Sequence, residues 1–118
     1  MRHHGKVVIA DDNEEMCDLV RDIFSEMGYG VDAVHNGYEL LSYLKENTPA
    51  VIILDLMMPQ KDGLSILGTL KQISPYSRII IYTGYHEYEK SIYARTADKF
   101  LVKGRSIKEL INAVEEFA

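Results

Sequence analysis

One cysteine, no long apolar run and no surplus of positive charge leave few classes of protein open to this chain. The lone Cys17 cannot form an internal disulfide, and it falls in a helical pattern, so a reduced, cytoplasmic setting is expected. No segment approaches the roughly 20 apolar residues of a membrane span, and the N-terminus has no apolar core of a signal peptide, which argues against secretion. Thirteen Lys and Arg stand against 18 Asp and Glu, for a net charge of −5. With a pI near 5.3 and no basic stripe, this balance argues against direct nucleic-acid binding. His3 and His4 read as tail residues, because a metal site there would need further ligands nearby. What is present suits a compact unit: 118 residues, 47% hydrophobic and 26% charged, read as one domain over 1–118 with 1–5 as its tail.

The most apolar run, Ala50-Val51-Ile52-Ile53-Leu54, shows no alternation and ends in Asp55, and Lys6-Val7-Val8-Ile9-Ala10 ends in Asp11-Asp12. Strands covered on both faces have this pattern. After the first, Asn13 is placed to cap a helix bearing Met16, Leu19, Val20, Ile23, Phe24 and Met27 at three- and four-residue spacing, with Gly28 ending it. Residues 31–34 are a short strand, and Asn36-Gly37 leads into a helix with Leu40, Leu41 and Leu44 inward. Beyond Asp55, a loop through Pro59 reaches a helix around Leu64, Ile66, Leu67 and Leu70. Residues 78–82 form the fourth strand, ending at Thr83-Gly84, and a polar, tyrosine-rich helix runs from about Glu87 to Arg95. Residues 98–102 make the fifth strand, ending at Lys103, and the last helix, near Ser106 to Phe117, starts with Ser106 and Glu109 in capping-box spacing. Such βα alternation with short loops implies a parallel sheet with right-handed crossovers and helices on both faces.

Open sheets of this kind bind ligands outside the carboxyl ends of their strands, where Asp11, Asp12, Asp55, Thr83 and Lys103 would gather. Three close carboxylates repel one another, and a hard divalent cation such as Mg²⁺ is the usual remedy. An acid directly after four large apolar residues is costly unless paired or coordinated, which singles out Asp55. Asp55 suits a carboxylate nucleophile toward phosphorus, with Asp11 and Asp12 holding the cation. Thr83 adds a hydroxyl donor and Lys103 a positive charge for the phosphoryl oxygens.

The acidic pair after the first strand, Asp55-Leu56-Met57-Met58-Pro59 with Asp62-Gly63 behind it, Thr83-Gly84, and Phe100-Leu101-Val102-Lys103 together resemble a response-regulator receiver domain over essentially the whole chain. The resemblance implies a flavodoxin-like (βα)5 fold of strand order 2-1-3-4-5. It implies that Asp55 accepts phosphate from a histidine kinase or phosphotransfer protein in a two-component phosphorelay. Asp11, Asp12, Asp55 and the Met57 backbone carbonyl would bind Mg²⁺, Thr83 and Lys103 would bind the phosphoryl group, and Thr83 with Phe100 would form the switch. The chain would act as a signalling module that catalyses only its own phosphorylation and dephosphorylation. An effector would meet the face of helix 4, strand 5 and helix 5, roughly Tyr88, Ile92, Tyr93, Phe100 and Ile107, and a phosphorylation-dependent dimer is left open. Two departures stand out: Gly104 replaces the usual proline after the lysine, and Arg95-Thr96-Ala97 replaces a common Ala-Gly-Ala. A cis peptide before Gly104 would cost about 2.5–4 kcal/mol, against roughly 0.5–1 before proline, so a trans bond is expected.

Plainer readings stand beside these. Asp11-Asp12 also fits a helix N-cap with favourable first-turn charge, Thr83 a turn hydroxyl, Lys103 a surface lysine, and Phe100 ordinary packing. A Mg²⁺-dependent phosphohydrolase of the haloacid dehalogenase type also uses a strand-end Asp, but its second acid would fall where Met57 stands. A degenerate receiver binding constitutively would be expected to have lost Asp55, Lys103 or an acidic residue, and all are present. No helix-turn-helix, kinase core or cyclase segment follows Phe117-Ala118, so the chain reads as a stand-alone receiver or as one domain of a longer regulator.

Overall fold

The computed structural model describes residues 5–61 and 63–118, so His3 and His4, read as tail residues, and Asp62 lie outside the described residues. Five strands, β1 (Lys6–Ala10), β2 (Gly30–Val34), β3 (Val51–Leu54), β4 (Arg78–Thr83) and β5 (Lys99–Val102), form one parallel sheet ordered β2-β1-β3-β4-β5. The strands alternate with helices α1 (Glu14–Glu26), α2 (Gly37–Glu46), α3 (Gly63–Ile73), α4 (Ile92–Thr96) and α5 (Ile107–Phe117).

The unalternating strand runs are explained by two cores, one on each face. Side chains of period two send Val7, Ile9, Val51, Ile53, Ile80 and Tyr82 to the face covered by Val20 and Phe24 of α1 and Leu110 and Val114 of α5. Val8, Ala10, Ile52, Leu54, Ile79 and Ile81 face Leu40 and Leu44 of α2 and Ile66, Leu67 and Leu70 of α3. In register, Ala10 pairs with Leu54 and Leu54 with Ile81, while β4 and β5 run two residues further, Thr83 pairing with Val102. The residues that follow Ala10, Leu54 and Val102 therefore leave the sheet along one rim.

Caps follow local chemistry. The Asn13 side chain accepts the Met16 N–H at 3.1 Å, and Gly28, at φ 96°, takes the left-handed conformation that ends α1. Asn36 caps α2 by accepting the Glu39 N–H at 2.9 Å. At α5 the Ser106 hydroxyl accepts from the Lys108 N–H instead of the Glu109 N–H that capping-box spacing favours.

Four expectations need correction. Leu19 is 46% exposed, and Cys17 takes the inward place on α1. The second strand starts at Gly30, not Val31. The fifth starts at Lys99, and Asp98 just before it is tied to Ile79 twice, its N–H donating to Ile79 O at 2.9 Å and its carboxylate accepting the Ile79 N–H at 2.7 Å. The tyrosine-rich helix is broken into a 3-10 turn, His86–Tyr88, and the five-residue α4. Residues 84–91 contribute no buried side chain after Thr83, so this stretch has no apolar stripe to hold a continuous helix against the sheet. Among the described residues no peptide bond is cis, so Lys103-Gly104 is trans, as expected, with Gly104 at φ 91°.

Candidate functional site

β1 delivers Asp11, 1% exposed, and β3 delivers Asp55, 7% exposed, to adjacent points of the sheet's carboxyl rim. Asp12, one residue further along, faces solvent. One oxygen from each of Asp11, Asp12 and Asp55 lies within 4.8 Å of the others. The set is all oxygen, which suits a hard cation such as Mg²⁺ or Ca²⁺ and offers nothing to a soft one.

Lys103 reaches into this cluster from the end of β5. Its Nζ donates to Asp11 Oδ2 at 2.5 Å and to Asp55 Oδ2 at 3.1 Å. Thr83, fully buried at the end of β4, donates its hydroxyl to Asp55 Oδ1 at 2.9 Å. The Met57 N–H approaches the same oxygen at 3.4 Å. Both Asp55 oxygens are thus already faced by donors. Asp11 Oδ1 accepts the Asn13 N–H at 2.9 Å. Cap duty for α1 thereby falls to Asn13, and the Asp12 carboxylate makes no hydrogen bond or ion pair among the described residues, so the plain capping reading of the acidic pair does not account for it.

Burial pushes Asp11 up from the ordinary carboxylate range, and this outweighs the lowering by Lys103 and the Asn13 N–H. Burial alone would lower Lys103, but its bond to Asp11 and the charges of Asp55 and Asp11 outweigh that and raise it. Lys103 is therefore a fixed cation, able to carry positive charge to whatever oxygens occupy the rim. Behind Asp11, Cys17 donates to its backbone carbonyl at 3.3 Å, and burial and the Asp11 charge push the thiol up to about 11, an inert core group.

Phe100 is half-buried beside the α2–α3 core, while Met57 and Tyr85 stand at the rim at 36% and 42% exposure. Two contacts had no signal in the sequence. Arg105 forks onto Glu89 at 3.0 and 3.5 Å, 16 residues away, and the Gly37 N–H donates to Lys61 O at 2.6 Å across 24.

Residues 7–115 match the family model described as the response regulator receiver domain. The chain belongs to that family. It is 30% identical to sporulation initiation phosphotransferase F of Bacillus subtilis, over 95% of this chain and 92% of that protein. It is 28% identical to the chemotaxis protein CheY of Halobacterium salinarum, over 94% of each. In structure it resembles the response regulator TrrA of Thermotoga maritima in complex with Mg²⁺ and BeF, at TM-score 0.88 and 27% identity, covering 96% of this chain and 98% of that one. The chain is thus a receiver domain of two-component signalling, with a five-stranded 2-1-3-4-5 sheet, and receiver domains work with histidine kinases or phosphotransfer proteins. Among the described residues no helix is long and apolar enough to cross a membrane.

Proposed function

We propose that this receiver takes a phosphoryl group onto Asp55 from a phosphohistidine of a kinase or phosphotransfer protein, with Mg²⁺ held by Asp11, Asp12, Asp55 and the Met57 carbonyl. The observation that carries this is the convergence on Asp55: Thr83 on one oxygen, Lys103 on the other, and two further carboxylates within 4.8 Å. A bound cation would supply neutralisation of the three carboxylates and of the phosphoryl oxygens. One Asp55 oxygen attacks phosphorus, the phosphorus–nitrogen bond of the donor breaks, and the imidazole leaves with the electron pair. Thr83 and Lys103, which now donate to the carboxylate, are placed to pass those bonds to phosphoryl oxygens.

Once Thr83 is drawn to the phosphoryl group, its place in the core changes, and Phe100, which pairs with Ile81 two residues before Thr83, would respond. The readout surface would be Tyr88, Ile92, Tyr93, Phe100 and Ile107, all partly or wholly exposed, with Ile92 at 68%. A working site in the cytoplasm fits the single reduced thiol. Intact-mass measurement with a small-molecule phosphodonor and Mg²⁺ tests the reading. The parent gains one phosphate, Asp55→Asn gains none, and equal gain by the variant rejects the assignment.

A further inference from the structure

We infer that Gly37, in the first turn of α2, is a positioning residue for the cation site, acting through the loop between β3 and α3. That loop is a strap closed at both ends. At its base the N–H groups of Gly63 and Leu64 bond to Leu56 O at 2.9 and 3.4 Å. A Cβ on Gly63 would strike the Asp55 carbonyl oxygen and lie 3.0 Å from Leu56 Cα, so this end has no slack. Two residues before Gly63, Lys61 O accepts the Gly37 N–H at 2.6 Å. A Cβ on Gly37 would strike that same carbonyl oxygen and lie 2.6 and 2.7 Å from Lys61 Cγ and Cβ. Just before Lys61, Gln60 holds φ 63°, the one non-glycine residue with positive φ among those described. A side chain in that region is unfavourable and persists because its surroundings hold it there.

The strap carries Met57, whose N–H approaches Asp55 Oδ1 at 3.4 Å. With the base fixed, a displacement of Lys61 falls in part on Met57 to Gln60, the stretch that leads back to the proposed ligands. Mg²⁺ tolerates little change in ligand placement. The glycine in α2 thus sets the position of the strap, although it lies on a different element from every proposed ligand. This inference rests on the reading of Asp55 and the Met57 carbonyl as ligands.

The test titrates Mg²⁺ into parent, Gly37→Ala and Gly68→Ala, following amide shifts by NMR and thermal melts in parallel. Gly68 is exposed on α3 with open space around it, so its alanine variant controls for the added methyl. Gly37→Ala is expected to bind Mg²⁺ at least fivefold more weakly, with Gly68→Ala like the parent. A role confined to packing would lower the melting temperature and leave Mg²⁺ affinity alone. A folded Gly37→Ala with affinity within twofold of the parent overturns the inference, whereas a parent that takes no Mg²⁺ removes the underlying reading and the inference together. Should Gly37→Ala not fold, hydrogen exchange on the parent decides. By reciprocal linkage, saturating Mg²⁺ should slow exchange of the Gly37 amide at least fivefold, and Asp12→Ala should abolish that slowing. Exchange at Gly37 indifferent to Mg²⁺ refutes it.

Discussion

Replacing Lys103 by methionine isolates the charge at the centre of the rim. Methionine keeps most of the apolar stem while deleting the ammonium that sits 2.5 Å from Asp11 and 3.1 Å from Asp55. The Asp11 and Asp55 side chains are 2% and 8% exposed and that of Lys103 19%, so the pair is buried with one wet edge. Breaking a buried pair by removing one partner costs roughly 3–5 kcal/mol, and the wet edge brings the expectation here to about 2–4. For a chain of this length about 3 kcal/mol lowers the melting temperature by roughly 10 °C. The pH dependence has a definite sign. Burial already raises the folded pKa of Asp11, and loss of Lys103 removes the chief influence holding it down. A carboxyl with a raised folded pKa gives stability that is fully present below its unfolded value, near 3.8, and lost as pH rises through the folded value. The gap between parent and Lys103→Met should therefore be wide at pH 7 and narrow to under about 1 kcal/mol near pH 4. Mg²⁺ should narrow the gap at pH 7 as well, because the carboxylates left without Lys103 bind the cation more tightly than in the parent, and at saturation each tenfold difference in Kd is worth about 1.4 kcal/mol. Melts followed by far-UV circular dichroism in chelator and in Mg²⁺, at both pH values, read all of this. A gap that is constant across pH and untouched by Mg²⁺ would show that Lys103 contributes by packing and refute the electrostatic account.

Asp12→Ala should weaken Mg²⁺ binding severely yet melt in chelator at a temperature equal to or above the parent's, because Asp12 caps nothing and its loss relieves repulsion among three carboxylates; a large drop would restore the structural reading. Phosphorylated Asp55 should decay slowly for a receiver, since Met57 and Tyr85 at the rim offer no carboxylate or amide to hold an in-line water. Converting them to Asn and Glu should speed decay about tenfold, some 1.4 kcal/mol in barrier, as read by the phosphorylated fraction over time, and equal rates would show that neither side chain gates water.

The order of elements, the two-sided burial of β1, β3 and β4 and the carboxyl-rim placement of Asp11, Asp55, Thr83 and Lys103 were all readable along the chain, because period and run length are local properties of sequence. So was the cap at Asn13, which needs only residues three apart. Leu19 and Cys17 illustrate where that reading stops: both fit a helical face by spacing, and only the direction of α1 on the sheet turns the thiol inward and leaves the leucine in solvent. The broken segment after Thr83 follows the same logic, since helix spacing in a polar stretch gives no stability without a surface to pack on. Pattern along the chain limits which residues can reach the rim and sets the chemistry they carry. That Lys103 spans Asp11 and Asp55, that Thr83 turns its hydroxyl to Asp55, and that the Gly37 N–H meets Lys61 O came only with the folded arrangement. These contacts join residues 92, 48, 28 and 24 positions apart. No period connects such pairs, and they meet only because parallel register brings separate strand ends and loops to one edge.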